Sequence, residues 1–265
     1  MENSTKYPRS LHAGISLGST SDDRFMPDGY VRKFSNLDLT LLEKIDGQNN
    51  SMTKYGVFAR SHTSQTIHPW DKPLIERWNL IKRDLGDLEL FGENVYGIHS
   101  IGYSKLESFY YLFGIRVKDT WLSWDEVCFY ANLLDFPTVP RVNLTVRLTD
   151  LWMDKVDEDR ILSEWFTLNL GMTWVEYTST EGMLGGYDIK TGNPASEGFV
   201  VRNAGEYKTN NGMLNVQPNE FDNLFKVVRP KHVTTDVHWS KTWKPAKLID
   251  YNKYNWSQYE YMLNK

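Results

Sequence analysis

The stretch Glu43-Lys44-Ile45-Asp46-Gly47-Gln48-Asn49 decides how the rest of the chain is read. Leu37, Leu39 and Leu41 alternate ahead of it, the period-2 pattern of a strand. That strand ends on a lysine, followed by an acid two residues on and then a glycine. Side chains alternate along a strand, so Lys44 and Asp46 can share one face. Gly47 permits a tight turn or a close approach of backbone to a ligand. A lysine so placed becomes a nucleophile when burial or nearby cations lower its pKa. Alone, the same residues also suit a surface hairpin turn with a solvated lysine. The reading therefore depends on what else the chain carries.

The chain has 265 residues, enough for one large domain or two small ones with a sizeable core. Apolar residues make up 40% and charged residues 24%, the balance of a soluble globular protein. The net charge of -4 excludes a wholly basic nucleic-acid coat but leaves room for a local basic groove. Aromatics are numerous (10 Trp, 15 Tyr, 12 Phe), so some rings are free to stack on bases while others fill cores. Cys128 is the only cysteine, which excludes an internal disulfide and a cysteine zinc cluster and suits a reducing cytoplasm. No apolar signal core opens the chain, and no run reaches the roughly 20 apolar residues of a membrane span.

Along the chain, residues 1–30 read as irregular, with room for one short strand. Residues 31–60 read as strands around the lysine turn, the second returning beside Lys44 and bringing Arg60 near it. Leu74, Trp78, Ile81 and Leu85 predict an amphipathic helix over 73–86. Strands are expected at 89–97 and 108–117. Ser123 and Glu126 form a capping box before a helix carrying Val127, Tyr130, Ala131 and Leu134. Residues 142–148 suit a strand, 157–170 a helix, and 178–196 a Gly-, Ser- and Thr-rich loop. Residues 197–202 suggest a central strand that opens on Glu197, and 221–228 runs into the basic Lys226, Arg229 and Lys231. Strands and helices interleave without βαβ regularity, which favours an α+β fold over a doubly wound sheet. The histidines His62, His68, His99, His232 and His238 show no zinc spacing and read as surface or packing residues, with His62 near the site if Arg60 is. In the tail, Trp239 and Trp243 interleave with Lys231, Lys241 and Lys244, a pattern that fits either a packed tail or a track for a strand.

Several short patterns stand in order: Glu-Lys-Ile-Asp-Gly from 43, Phe-Gly-Glu from 91, Tyr-Leu-Phe-Gly-Ile from 111, Glu-Gly-Phe-Val-Val-Arg from 197, and a lysine-bearing strand at 226. Their order and spacing over residues 35–232 resemble the covalent nucleotidyltransferases, the superfamily of polynucleotide ligases and mRNA capping enzymes. Within it the resemblance is to the phage-type ATP-dependent RNA ligases.

This resemblance implies an α+β nucleotidyltransferase (ATP-grasp-like) ligase domain over 1–235, with antiparallel sheets flanked by helices around a central ATP cleft. Residues 236–265 would be a short tail packed on it or extending it. It implies ATP with Mg2+ or Mn2+ as cofactors, RNA strand ends as partners with DNA ends as the alternative, a monomer, no membrane, and the cytoplasm of an infected bacterial host. Lys44 would take AMP from ATP, pass it to a 5′-phosphate, and a 3′-hydroxyl would then displace it. Glu43 corresponds to an acid that bonds the adenine amino group. Asp46 and Gly47 complete the nucleophile motif. Arg60 corresponds to a basic residue near the sugar, Glu93 to the acid on the ribose, and Phe113 to an aromatic stacked on adenine. Glu197 would position the metal, and Lys226 would grip the AMP phosphate. The sequence departs from the pattern at Val228, where relatives usually carry a second lysine, leaving Arg229 or Lys231 to supply that charge. It departs again at Gly114, where relatives often carry an acid. A non-catalytic nucleic-acid-binding module that keeps the fold, and a guanylyltransferase, are the competing readings.

Overall fold

A computed structural model describes residues 7–8, 10–19, 21, 23–60, 64–151, 157–208, 222–230 and 239–260. Lys231, His62, His232 and His238 lie outside the described residues. The fold is mixed α+β. Its strands are β1 (Leu11–His12), β2 (Leu39–Lys44), β3 (Gln48–Thr53), β4 (Gly56–Ala59), β5 (Leu88–Asn94), β6 (Ile101–Tyr103), β7 (Tyr110–Val117), β8 (Thr120–Trp121), β9 (Arg141–Val142), β10 (Gly186–Asp188), β11 (Gly198–Asn203), β12 (Tyr207–Lys208) and β13 (Leu224–Val228). Its helices are α1 (Tyr30–Ser35), α2 (Lys72–Ile81), α3 (Trp124–Leu133), α4 (Leu148–Leu151), α5 (Glu158–Leu170) and α6 (Trp174–Tyr177).

Two sheets carry the site. One has the order β1-β13-β11-β2-β9 and the other β12-β8-β7-β5-β3-β4, while β10 and β6 form a separate pair. The pairings are antiparallel except that β1 runs parallel to β13.

Strand alternation sorts the first sheet into two faces. Leu41, Phe199, Val201, Phe225 and Val227 point one way, into a core with Ile161, Leu162, Trp165 and Phe166 of α5 and Val31 and Phe34 of α1. Leu42 and Val200 point the other way, into the core that the second sheet shares with α2, α3 and the tail. Lys44 stands two residues beyond Leu42, and Lys226 pairs with Val200 across the sheet, so both share that second face. The helix ends follow their local chemistry. Ser123 and Glu126 cap α3 reciprocally, the Asp157 side chain accepts the Arg160 N–H at 3.1 Å, and Gly171 closes α5 in the left-handed region.

Four expectations change. Residues 31–60 are not all strand, because Tyr30, Val31 and Phe34 are buried at helical spacing in α1. The strands around the lysine turn do not pair with each other either: β2 lies between β11 and β9, and β3 lies between β5 and β4. The chain therefore crosses from one sheet to the other at Ile45–Gly47. Of 142–148 only Val142 is in a strand. The Asn169 side chain accepts the Thr145 and Val146 N–H groups at 2.8 and 3.0 Å, so those donors serve no ladder. The glycine-rich 178–196 segment contains β10, paired with β6 through Gly186–Asp188.

The tail packs on the domain. Ala246 N–H donates to Tyr96 O at 2.7 Å, Ile98 N–H to Lys244 O at 3.0 Å, and Ile249 N–H to Leu106 O at 2.8 Å. Trp256 is fully buried against Phe109, and its Nε1–H donates to Ser108 Oγ at 3.0 Å.

Candidate active site

Between the two sheets lies a cleft of ≈ 1460 Å3. It exceeds the roughly 300–1,000 Å3 of an ordinary small-molecule pocket, so there is room for more than a nucleotide. Lys44, at the end of β2, enters it from one wall. Its Nζ lies 2.7 Å from each carboxylate oxygen of Glu197. Glu197 precedes β11, where Gly198 pairs with Lys44 across the sheet. Gly198 has φ +147, and a Cβ there would stand 2.1 Å from Val227 O, so the glycine is what lets Glu197 turn into the cleft.

Gly47 sets the opposite side of the junction. A Cβ on it would stand 2.6 Å from Asn94 O. The crossing chain thus lies directly on β5, and Glu93 of that strand comes beside Lys44. Asp46 is held by the β6 end: its Oδ2 accepts the Ser100 and Ile101 N–H groups at 2.8 and 2.9 Å. Its own N–H donates to the Tyr103 hydroxyl at 2.7 Å.

The electrostatics follow from three acids crowding one ammonium. Burial works against the Lys44 charge, yet Glu197 and Glu93 outweigh it and raise its pKa above the ordinary lysine value. That reverses the expectation of a lowered lysine pKa for the protein alone. Burial pushes Asp46 up to about 7, with Glu197 adding to the shift and Lys44 opposing it. Burial likewise pushes Glu93 up to about 8, against the pull of Lys44. Lys226 is lowered by burial and by the nearby Lys44 ammonium.

Lys44, Asp46, Gly47, Arg60, Glu93, Phe113, Glu197 and Lys226 all line this one cleft. Phe113 is half-buried, and its ring meets Tyr7 edge-on at 5.0 Å. Glu43 borders the cleft, but its carboxylate is on the reverse face of β2. There it accepts the Tyr177 hydroxyl at 3.0 Å and the Met183 N–H at 2.8 Å, and burial raises its pKa. Arg229 is not on the cleft wall; its Nη2 lies 3.7 Å from Asp188.

Sequence reasoning missed several wall residues. Gln48 and Asn49 line the cleft, as do His68, Trp70, His99 and Trp239. His68 stacks on Trp70 with ring centroids 4.7 Å apart, and His99 stacks on Trp239 at 3.7 Å. The polar run Gln48-Asn49-Asn50 inside a strand was the available signal. The His99–Trp239 stack joins segments far apart in the chain and had none, although Trp239 itself stood in the tail's aromatic and lysine pattern.

The donor set fits a divalent cation held in the way magnesium ordinarily is. Two raised carboxyls and Glu197 face one open volume, and a cation there would favour their ionised forms. Among the described residues no group of three or more acids, histidines or cysteines is placed to hold an ion on its own. Phosphate and water oxygens would complete the shell.

A nucleophile-type lysine, flanking acids and a second lysine on one cleft define the class as a candidate group-transfer site on phosphates. Residues 38–228 match the family model described as RNA ligase, and the chain belongs to that family. No curated protein matches the chain. Among solved structures it is similar to a mutant of Naegleria gruberi RNA ligase with ATP and Mn, at 12% identity and a TM-score of 0.45, covering 86% of this chain and 61% of that one. It is similar to an archaeal ATP-dependent RNA ligase at 12% identity and a TM-score of 0.45, covering 84% and 48%. A putative ATP-dependent DNA ligase from Aquifex aeolicus matches at 12% identity and a TM-score of 0.43, covering 84% and 50%. The chain thus spans about half to three fifths of the length of these solved ligases.

Proposed function

We propose that this protein is an ATP-dependent RNA ligase that joins a 3′-hydroxyl to a 5′-phosphate through a lysyl-AMP intermediate. The observation that carries the reading is the Lys44–Glu197 pair at 2.7 Å inside a cleft that also holds Glu93, Asp46 and Lys226. Residues 1–235 would form the adenylyltransferase unit, with 236–265 as its tail. The finer reading of a monomeric phage-encoded RNA-repair enzyme in an infected bacterial cytoplasm draws its support from the motif resemblance. Among the described residues no helix is long and apolar enough to cross a membrane.

In the first step the Lys44 amine attacks the α-phosphorus of ATP. A nitrogen–phosphorus bond forms, the bond to pyrophosphate breaks, and the amine loses a proton. Glu197 and Glu93 hold Lys44 as an ammonium beforehand, so the proton must leave before attack. Magnesium or manganese, when bound, would neutralise phosphate and carboxylate oxygens and compete with the ammonium for Glu197. Lys226 would offset charge on the non-bridging oxygens. Phe113 would stack on the base and Arg60 would face the sugar and the 3′-hydroxyl strand, as the motif resemblance implies. AMP then passes to a 5′-phosphate oxygen, and a 3′-hydroxyl displaces it.

The test is labelled ATP with magnesium, followed by denaturation. The parent chain is expected to keep the label and Lys44→Ala to lose it. Equal labelling of both rejects the mechanism. Sealing assays on RNA and DNA ends, nicked and unpaired, then separate an RNA ligase from a DNA or dual-specificity enzyme. RNA binding with no stable adenylate would instead indicate a binding module.

A further inference from the structure

Residues 11–18 precede the 38–228 family segment, yet they are bonded along β13. Ala13 N–H donates to Lys226 O at 2.9 Å, Gly18 N–H to Val228 O at 2.8 Å, and Val228 N–H to Ser16 Oγ at 3.0 Å. His12 stands opposite Lys226 in register. The His12 ring is 1% exposed, with Nδ1 2.7 Å from Ser16 Oγ and Nε2 3.4 Å from Asp23 Oδ1. The same Asp23 oxygen lies 3.7 Å from Lys226 Nζ. The Ser16 oxygen already accepts from Val228 N–H, so its hydroxyl proton is directed at Nδ1, which places the His12 proton on Nε2; that nitrogen faces Asp23 at 3.4 Å, outside hydrogen-bond geometry. The order Ser–His–Asp is that of a nucleophilic triad, but Ser16 is buried and its oxygen already accepts from Val228, so the chain of contacts ends on Lys226 instead.

Two features give this chain of contacts a role beyond stability. A partly exposed ion pair adds little to folding. At 3.7 Å the ammonium is beyond hydrogen-bond range of Asp23 and free to exchange partners. In addition, Val228 occupies the position two residues on from Lys226 and is 2% exposed. A Cβ on Gly18 would press on Val228 at 2.8 Å, so the Gly18 segment covers it. The aim of Lys226 therefore matters more here than in a strand carrying two lysines.

We infer that Asp23 is a positioning residue for Lys226: it holds that ammonium over the cleft until a nucleotide phosphate replaces it, and His12 orients Asp23. This rests on the proposed role of Lys226 in gripping the α-phosphate. The charged groups that act on Lys226 are Lys44, Asp23, Glu197 and Arg60.

The experiment is single-turnover lysyl-AMP formation at ATP well below saturation, where the second-order rate reads how well Lys226 is held ready for the phosphate. Asp23→Asn is expected to slow the step about 10- to 100-fold, as a misplaced group does. Its melting temperature should stay close to that of the parent, and Asp23→Glu should recover part of the rate. The double variant Asp23→Asn/Lys226→Ala should be no slower than Lys226→Ala, because Asp23 acts through that lysine. A second arm omits nucleotide: in a nitrogen-15 NMR titration of the Lys226 amine, Asp23→Asn should lower the midpoint, since an anion favouring the ammonium is gone. Parent-like rates in Asp23→Asn, multiplying effects in the double variant, or an unmoved midpoint each overturn the inference. If the parent itself forms no lysyl-AMP, the ligase reading has failed, and the NMR arm alone decides whether Asp23 holds Lys226.

Discussion

At the scale of single residues, the cleft stores charge in an unfavourable arrangement. Glu93 is pushed from 4.5 to about 8 and Asp46 from 3.8 to about 7, chiefly by burial. Between about pH 4 and 8 the folded protein therefore holds protons that the unfolded chain has released. Stability from these groups must fall as pH rises through that window. Glu93→Gln should accordingly raise the melting temperature at pH 8 and leave it unchanged near pH 4, where the acid is neutral in the fold. Each kcal/mol gained would appear as about 2–4 °C in a chain of this size. Thermal melts of both proteins across pH check this; an equal shift at both pH values would refute the assigned cause. The same substitution should slow adenylylation, a trade of stability against activity. The motif position makes Glu43 an adenine contact, whereas strand alternation turns its carboxylate away from Lys44, toward the Tyr177 hydroxyl and the Met183 N–H. Asp23 was not legible, because it lies outside every motif and meets Lys226 only through the fold.

At the scale of elements, the crossing at Ile45–Gly47 joins the two walls. Gly47→Ala puts a Cβ 2.6 Å from Asn94 O, which must move Lys44 relative to Glu93. Displacement of a reacting group by an ångström is expected to slow lysyl-AMP formation about 100-fold. The stopped-flow or labelled-ATP rate of Gly47→Ala measures it, and a rate equal to the parent's would show that β5 can yield. The helices α3 and α5 were readable because their signals are local: a capping box for one, an Asp cap and apolar spacing for the other. The sheet assignment of β3 was not, since pairing depends on β5, some forty residues away. The strand expected at 142–148 failed for a similar reason, as Asn169 takes its backbone donors from another element.

At the scale of the whole molecule, both ends of the described chain return to the centre. Tyr7 and Trp239 each line the cleft, and Trp256 is sealed into the core beside Phe109. Trp256→Ala removes a fully buried indole and should destabilise the protein by about 3–5 kcal/mol. Urea unfolding of the two proteins tests this, and a loss under about 1 kcal/mol would mean that the site collapses to fill the gap. The motif order made the α+β ligase fold and the cleft's acids and lysines legible. The aromatic wall at Trp70, His99 and Trp239 stayed hidden because no local pattern announces contacts across more than a hundred residues.

The Lys44–Glu197 contact spans 153 positions of sequence. During synthesis the ribosome releases the amine long before its carboxylate partner, and β13 emerges later still. A nascent chain thus carries the proposed nucleophile without the acids and the second lysine that surround it in the fold. Assembly awaits the closure of very long loops, which is intrinsically slow. On the proposed mechanism, adenylylation of Lys44 would thereby be confined to finished molecules.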